Sequence, residues 1–167
     1  MNRKSKIAEQ YNIDIANAVD RAVFPALQGG PHVNQIAAVA TALYEAMQPE
    51  FKKYVAQIIK NTHVLAAELK KYRWRIISDG TDTHLFLVDT WARGVSGEEA
   101  SNALEKHGII VNKNTIPFDE RKPMDPSGIR IGTAAVTTQG MKEKDMKKIA
   151  ERIHGILERE RTLKTKE

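Results

Sequence analysis

Trp74-Arg75-Ile76-Ile77-Ser78-Asp79-Gly80-Thr81-Asp82-Thr83-His84-Leu85-Phe86-Leu87-Val88-Asp89 is the stretch in which the hydrophobic pattern of this chain changes its period. Upstream, apolar residues recur at three- and four-residue spacing, the stripe of amphipathic helices. Within it, two short β-prone runs, 74–77 and 84–89, flank Ser78-Asp79-Gly80-Thr81, a turn composition. Helices therefore give way to a sheet at this point.

On the N-terminal side, Ile36, Val39, Ala40, Leu43 and Met47 predict one helix from Val33 to about Met47. Phe51, Tyr54, Val55, Ile58, Thr62, Leu65 and Leu69 predict another. Pro49 either opens the second helix at its first turn or kinks a single long one, and two helices meeting near Gln48 are expected. On the C-terminal side, Ser96 with Glu99 forms the signature of a capping box. A helix through Ala100, Leu104 and His107 follows, with Gly108 as its left-handed stop. Ile109-Ile110-Val111-Asn112 predicts a third strand and Ile129 to Thr133 a fourth. The intervening segment Lys113 to Pro126, with its prolines and charges, reads as an ordered loop. A final helix from about Lys142 carries Met146, Ile149, Ile153, Ile156 and Leu157 on one face. This order predicts an α+β fold, a small largely antiparallel sheet covered by helices. The first thirty residues stand apart, because apolar Val23-Phe24-Pro25-Ala26-Leu27 has no partner strand nearby and reads as the edge of another domain.

Composition narrows the function classes. The 167 residues are 41% hydrophobic and 28% charged, ordinary globular usage. No cysteine is present, which excludes disulfides, thiolate metal sites and thiol nucleophiles and fits a cytoplasmic setting. Ile36 to Leu43 is far short of the ~20 apolar residues of a membrane span, and Met1-Asn2-Arg3-Lys4 lacks a signal-peptide core, so no membrane partner is expected. The net charge of +5 sits at the two ends, in residues 1–9 and 141–167, while residues 10–140 are neutral overall. Charged helix faces and tails explain that better than a nucleic-acid stripe.

Three places offer binding chemistry. Gln28-Gly29-Gly30-Pro31-His32 runs into the first predicted helix, where uncovered N–H groups and the positive dipole end suit a phosphate, although a plain turn has the same composition. Arg130 lies between Ile129 and Ile131 and so faces away from them, flanked by Gly128 and Gly132. Its guanidinium suits bidentate capture of a carboxylate, with a solvent-facing or structural arginine as the alternative. Asn112-Lys113-Asn114-Thr115-Ile116-Pro117 places amide and ammonium donors at the mouth of the long loop. The histidines, His32, His63, His84, His107 and His154, show no paired metal-ligand spacing, and no metal is expected.

Taken together and in order, several stretches resemble serine hydroxymethyltransferase, a pyridoxal-phosphate enzyme. They are Ala22-Val23-Phe24-Pro25 through His32, Glu45-Ala46-Met47-Gln48-Pro49-Glu50-Phe51, Gly80-Thr81-Asp82 with His84-Leu85, Val111 through Pro117, and Ser127-Gly128-Ile129-Arg130-Ile131-Gly132-Thr133. The resemblance implies the C-terminal portion of that enzyme. Residues 1–32 would be a remnant of the large cofactor-binding domain and 33–48 a linking helix. Residues 49–158 would be the small C-terminal domain and 159–167 a charged tail. It implies that Arg130 holds the carboxylate of serine or glycine, that Gly29 and Gly30 donate to the cofactor phosphate of a neighbouring subunit, and that Asn114 and Lys113 lie at the folate site. It also implies pyridoxal phosphate as cofactor and tetrahydrofolate as co-substrate. The partner would be a second copy in a homodimer or tetramer, or a complementary N-terminal half.

The departures carry weight. The family's Schiff-base lysine stands in a Thr-His-Lys-Thr context, and no His-Lys-Thr occurs here, so no catalytic residue is assigned and the chain alone is expected to be inactive. Ala26 and Asp79 each replace a glycine, Thr83 an asparagine, Ala134 a proline and Gln139 an arginine. The alternative from a different class is a stand-alone α+β binding or assembly module without catalysis.

Overall fold

A computed structural model gives the fold of residues 14–164. Residues 1–13 of the 1–32 segment, with the basic cluster Arg3, Lys4 and Lys6, and residues 165–167 of the expected tail lie outside the described residues. The chain forms two compact units, Met1–Met47 and Gln48–Glu167.

In the first unit, Asp14 caps helix α1 (Ile15–Arg21) by accepting from the Asn17 N–H at 3.3 Å. Ala22–Leu27 continues it as an irregular wide turn, broken where Phe24 adopts an extended backbone at φ −135° and ψ 127°. Helix α2 follows at Val33–Ala46. The apolar stripe that predicts this helix is exposed along its length, at Val33, Ile36, Val39 and Leu43.

The second unit opens with Gln48 extended and Pro49 at the first helical position, where its missing N–H costs nothing and its fixed φ suits the turn. Helix α3 runs over Pro49–Lys71 and buries Ile58, Thr62, Leu65 and Leu69 of the expected stripe together with Asn61 and Ala66, while Phe51 at its start is exposed and Tyr54 and Val55 are half-buried. Strand β1 (Arg75–Ile76) and strand β2 (Leu85–Asp89) come from the stretch where the period changes, joined through Ser78 and Asp79, both at φ 59°. Helix α4 (Gly97–Lys106) starts at the capping box: the Glu99 N–H donates to Ser96 Oγ, and the Ser96 N–H to Glu99 Oε2. Gly108 is left-handed at φ 76° and lets the Ile109 N–H reach back to the Leu104 carbonyl. Strands β3 (Asn112–Asn114) and β4 (Gly128–Gly132), a short helix α5 (Ala134–Thr138) and the long helix α6 (Glu143–Lys164) complete the unit.

The sheet order is β1-β2-β4-β3 and every pairing is antiparallel. The fold is therefore α+β as expected. Ile76, Phe86, Val88, Ile129 and Ile131 line one sheet face and pack on Leu65 and Leu69 of α3, Leu104 of α4, and Met146, Ile153 and Leu157 of α6.

One predicted element is displaced along the chain. The strand predicted at Ile109-Ile110-Val111-Asn112 lies at Asn112–Asn114. The Ile109 N–H is already spent on the end of α4, and Ile110 is left exposed. Ile109 and Val111 pack at the edge of the core without pairing, so β-prone composition here reflects burial and not a ladder. The helices α1 and α5 are additions that the sequence reading lacks.

Candidate functional site

Strand β4 carries the central feature. Ile129 and Ile131 are buried against the helices, so the two-residue period of a strand turns Arg130 to the opposite sheet face, where it is exposed. The register sets Leu87, Arg130 and Asn112 in one row across the sheet, and Arg75, Asp89, Gly128 and Asn114 in the next. Arg75 is held there by Asp89, with Nη1 donating to Oδ2 at 2.7 Å. Among the described residues no hydrogen bond or ion pair engages the Arg130 guanidinium, which leaves its fork of donors free for a planar anion. Its row neighbours, Leu87 and Asn112, are uncharged and do not compete for it.

The loop before β4 is built around Asp119. Its carboxylate accepts from the Ile116 N–H at 3.2 Å, the Arg121 N–H at 2.9 Å, the Ser127 N–H at 3.0 Å and the Ser127 hydroxyl at 2.6 Å. Burial opposes ionisation of Asp119, but the Ser127 hydroxyl and these N–H donors outweigh it and lower its pKa to about 2. Arg121 in the same loop lies over the Trp91 ring at 3.9 Å and pairs with Asp125. Phe118, beside Asp119, is fully exposed at φ 61°.

The two loop-mouth donors fall on opposite sides of β3. Asn114 shares the Arg130 face and donates to the Thr115 carbonyl at 2.6 Å. Lys113 is in register with Ile129, on the helix-covered side, and its Nζ donates to Glu98 Oε1 at 2.9 Å and to the Met124 carbonyl at 2.6 Å.

Gly29 and Gly30 lie in the first unit, ahead of α2. A Cβ on either would meet nothing within 4 Å, and neither is left-handed. Among the described residues neither N–H has a hydrogen-bond partner. Two free N–H donors in an open, side-chain-free stretch fit the acceptor oxygens of a phosphate such as that of pyridoxal phosphate. They do not supply an amine for covalent attachment. No group of three His, Asp or Glu among the described residues is placed to hold a metal ion.

The sequence reading leaves out Asp119, whose role shows only once the loop closes on Ser127, and it names Asn112 as a loop-mouth donor without linking it to Arg130, beside which the register sets it. Alternation with Lys113 is the signal that pairs Asn112 with Asn114 on one face. Two cavities, of about 260 Å³ beside His107, Arg152 and Arg159 and about 210 Å³ among Leu65, Ile109, Val136 and Ile149, leave Arg130 outside their linings.

A family profile described as serine hydroxymethyltransferase matches residues 1–153. A serine hydroxymethyltransferase of Acidobacterium capsulatum is 57% identical over 143 residues, which is 86% of this chain and 34% of that protein. One of Acidothermus cellulolyticus is 54% identical over 142 residues, 85% of this chain and 32% of that protein. The chain thus spans about a third of the length of the curated relatives it matches.

Proposed function

The chain belongs to the serine hydroxymethyltransferase family, and we propose that it supplies the amino-acid carboxylate site for that family's reaction, the conversion of serine and tetrahydrofolate to glycine and methylenetetrahydrofolate. The observation that carries this reading is Arg130: an exposed guanidinium without an internal partner, projecting from the centre of a buried strand between two glycines. A rigid strand presents a bidentate donor more accurately than a loop does. Asn112 and Asn114 add amide donors on the same face, and Asn114 is assigned to the folate side. Lys113, tied to Glu98 and the Met124 carbonyl, anchors β3 and reaches folate only when that pair opens.

Pyridoxal phosphate, when bound, would supply the electron sink for breaking the Cα–Cβ bond of serine. Gly29 and Gly30 would donate to its phosphate in a neighbouring subunit. The 167 residues hold no His-Lys-Thr, so they would not anchor the cofactor by themselves. In this reading residues 1–32 belong to a cofactor domain, 33–48 link, 49–158 form a small domain and 159–167 a tail. The complete assembly would be a cytoplasmic homodimer or tetramer, or this chain joined to a complementary N-terminal half.

Mixing this chain with the remaining two-thirds of the Acidobacterium capsulatum relative, with pyridoxal phosphate and tetrahydrofolate, tests the proposal. The expected result is serine cleavage in the mixture, absent from either piece alone and abolished by Arg130→Ala. A mixture that assembles yet never cleaves serine, or cleaves it equally well with Arg130→Ala, would favour a stand-alone module instead.

A further inference from the structure

We propose that Ser127 and Thr133, the residues immediately before and after β4, are positioning residues that fix the strand along its axis and so set where the Arg130 guanidinium meets a carboxylate. Both are buried hydroxyl residues at the ends of a strand whose interior side chains, Ile129 and Ile131, are apolar. Apolar burial decides which face a side chain takes but has no direction along the strand. Hydrogen bonds do: the ladders to β2 and β3 set the register, and further bonds stand at both ends of the strand.

At the first end, the Ser127 N–H and hydroxyl both donate to Asp119, while its carbonyl accepts from the Thr90 N–H at 3.1 Å and the Trp91 N–H at 2.9 Å. At the other end, the Thr133 N–H donates to the His84 carbonyl at 3.1 Å. Its hydroxyl closes a triangle with α3: 2.6 Å to Thr62 Oγ1 and 3.0 Å to the Ile58 carbonyl, with Thr62 Oγ1 2.8 Å from the same carbonyl. Two hydroxyls bring two protons to these three contacts. One bonds the carbonyl and the other bonds its neighbouring hydroxyl, so both protons are used inside a site with no solvent exposure at either threonine. Such a closed, dry network fixes one arrangement of its members. Asn61, also fully buried, extends it to Thr137 and to the Met141 carbonyl, each at 2.9 Å, and so ties the segment after β4 to the same helix. A bidentate contact requires placement to within roughly half an ångström, which this directional pinning supplies.

The proposal rests on the carboxylate reading of Arg130, and its test separates the two. Ser127→Ala, Thr133→Val and Thr133→Ser are made in the 167-residue chain. Amide exchange is followed at Ile129 and Ile131 and, as an internal control, at Ala150 and Ile153 of α6. Thr133→Val and Ser127→Ala are expected to speed exchange in β4 at least tenfold while α6 is unchanged, and Thr133→Ser is expected to restore protection. Equal acceleration everywhere, or none, overturns the positioning role. The same variants are then assembled with the rest of the family's chain and titrated with glycine. A tenfold or greater loss of glycine affinity with cofactor binding retained is expected for Thr133→Val, and undiminished affinity overturns the proposal. Should the wild-type assembly itself ignore glycine, the carboxylate reading of Arg130 fails, while the exchange data still decide whether the two hydroxyls pin the strand.

Discussion

Gly97, at the first position of α4, lies so close to Gly128 of β4 that a Cβ on Gly97 would overlap the Gly128 carbonyl. A Cβ on Gly128 would in turn fall 2.6 Å from the Val88 carbonyl oxygen and 2.7 Å from Ile116 Cγ2. The obstacles are mostly backbone and cannot swing aside. Gly97→Ala and Gly128→Ala should each destabilise the second unit by about 1–3 kcal/mol, the cost of overpacking a tight site. Gly155→Ala is the contrast: its Cβ meets nothing within 4 Å inside α6, so the change should stabilise by about 0.5–1 kcal/mol. Urea midpoints of the three variants, moving in these opposite directions, are the measurement.

The Asp119 hub makes the loop before β4 acid-sensitive. Its carboxyl titrates at about 2 in the folded chain, against 3.8 ordinarily, so the bonds to Ser127, Arg121 and Ile116 favour the folded loop fully above the ordinary value. That contribution fades as pH falls from about 4 towards about 2, where the folded carboxyl takes a proton. Amide exchange at Ser127, corrected for its intrinsic pH dependence, should rise across that window. Asp119→Asn should show raised exchange at neutral pH and no further opening in acid. A wild-type loop equally protected at both ends of the window would refute the assignment.

The exposed stripe of α2 predicts self-association. Ile36, Val39 and Leu43 lie on one face of this helix and each is more than half exposed, as are Phe24 and Leu27 ahead of it. Covering a side chain such as Leu43 removes about 1.5–3 kcal/mol of unfavourable hydration. The chain by itself should therefore sediment with a weight that rises with concentration, and Ile36→Glu with Leu43→Glu should hold it monomeric. Concentration-independent sedimentation of the unmodified chain would contradict this.

Local chemistry was legible wherever it was self-contained. Pro49 announces its helix because a missing donor is harmless only at the first turn, and Ser96 with Glu99 announces another because both halves of the box lie within four residues. The misread strand shows the opposite case. Ile109, Ile110 and Val111 have the composition of a strand, whereas the ladder uses Asn112, Lys113 and Asn114, chosen by pairing with β4 far along the chain. Thr62 fits the apolar stripe of α3 by size and burial; its hydroxyl can bond the Ile58 carbonyl one turn back, but its link to the end of β4 comes only from Thr133, which no local window contains. Arg130 was legible as a candidate because alternation with two isoleucines sets its face. That it lacks an internal partner depends on which side chains the sheet brings to its row, and that is a property of register.

Arg130→Lys in the assembled enzyme gives the sharpest test of the site. A carboxylate presents two coplanar oxygens, and the guanidinium answers with two parallel donors, whereas lysine offers one point charge on a differently shaped stem. Because Arg130 is exposed on the strand and supports no described partner, the substitution removes nothing that holds the fold. Stability should change by about 0.5 kcal/mol or less, as for a surface residue away from any network. Serine and glycine affinity should fall by the worth of one charge-assisted hydrogen bond, about 1.5–3 kcal/mol, or roughly ten- to a hundredfold. Cofactor binding should persist, since its phosphate donors are assigned to Gly29 and Gly30. Calorimetric titration of glycine into wild-type and variant assemblies measures the loss directly, and equal affinities would remove Arg130 from the site.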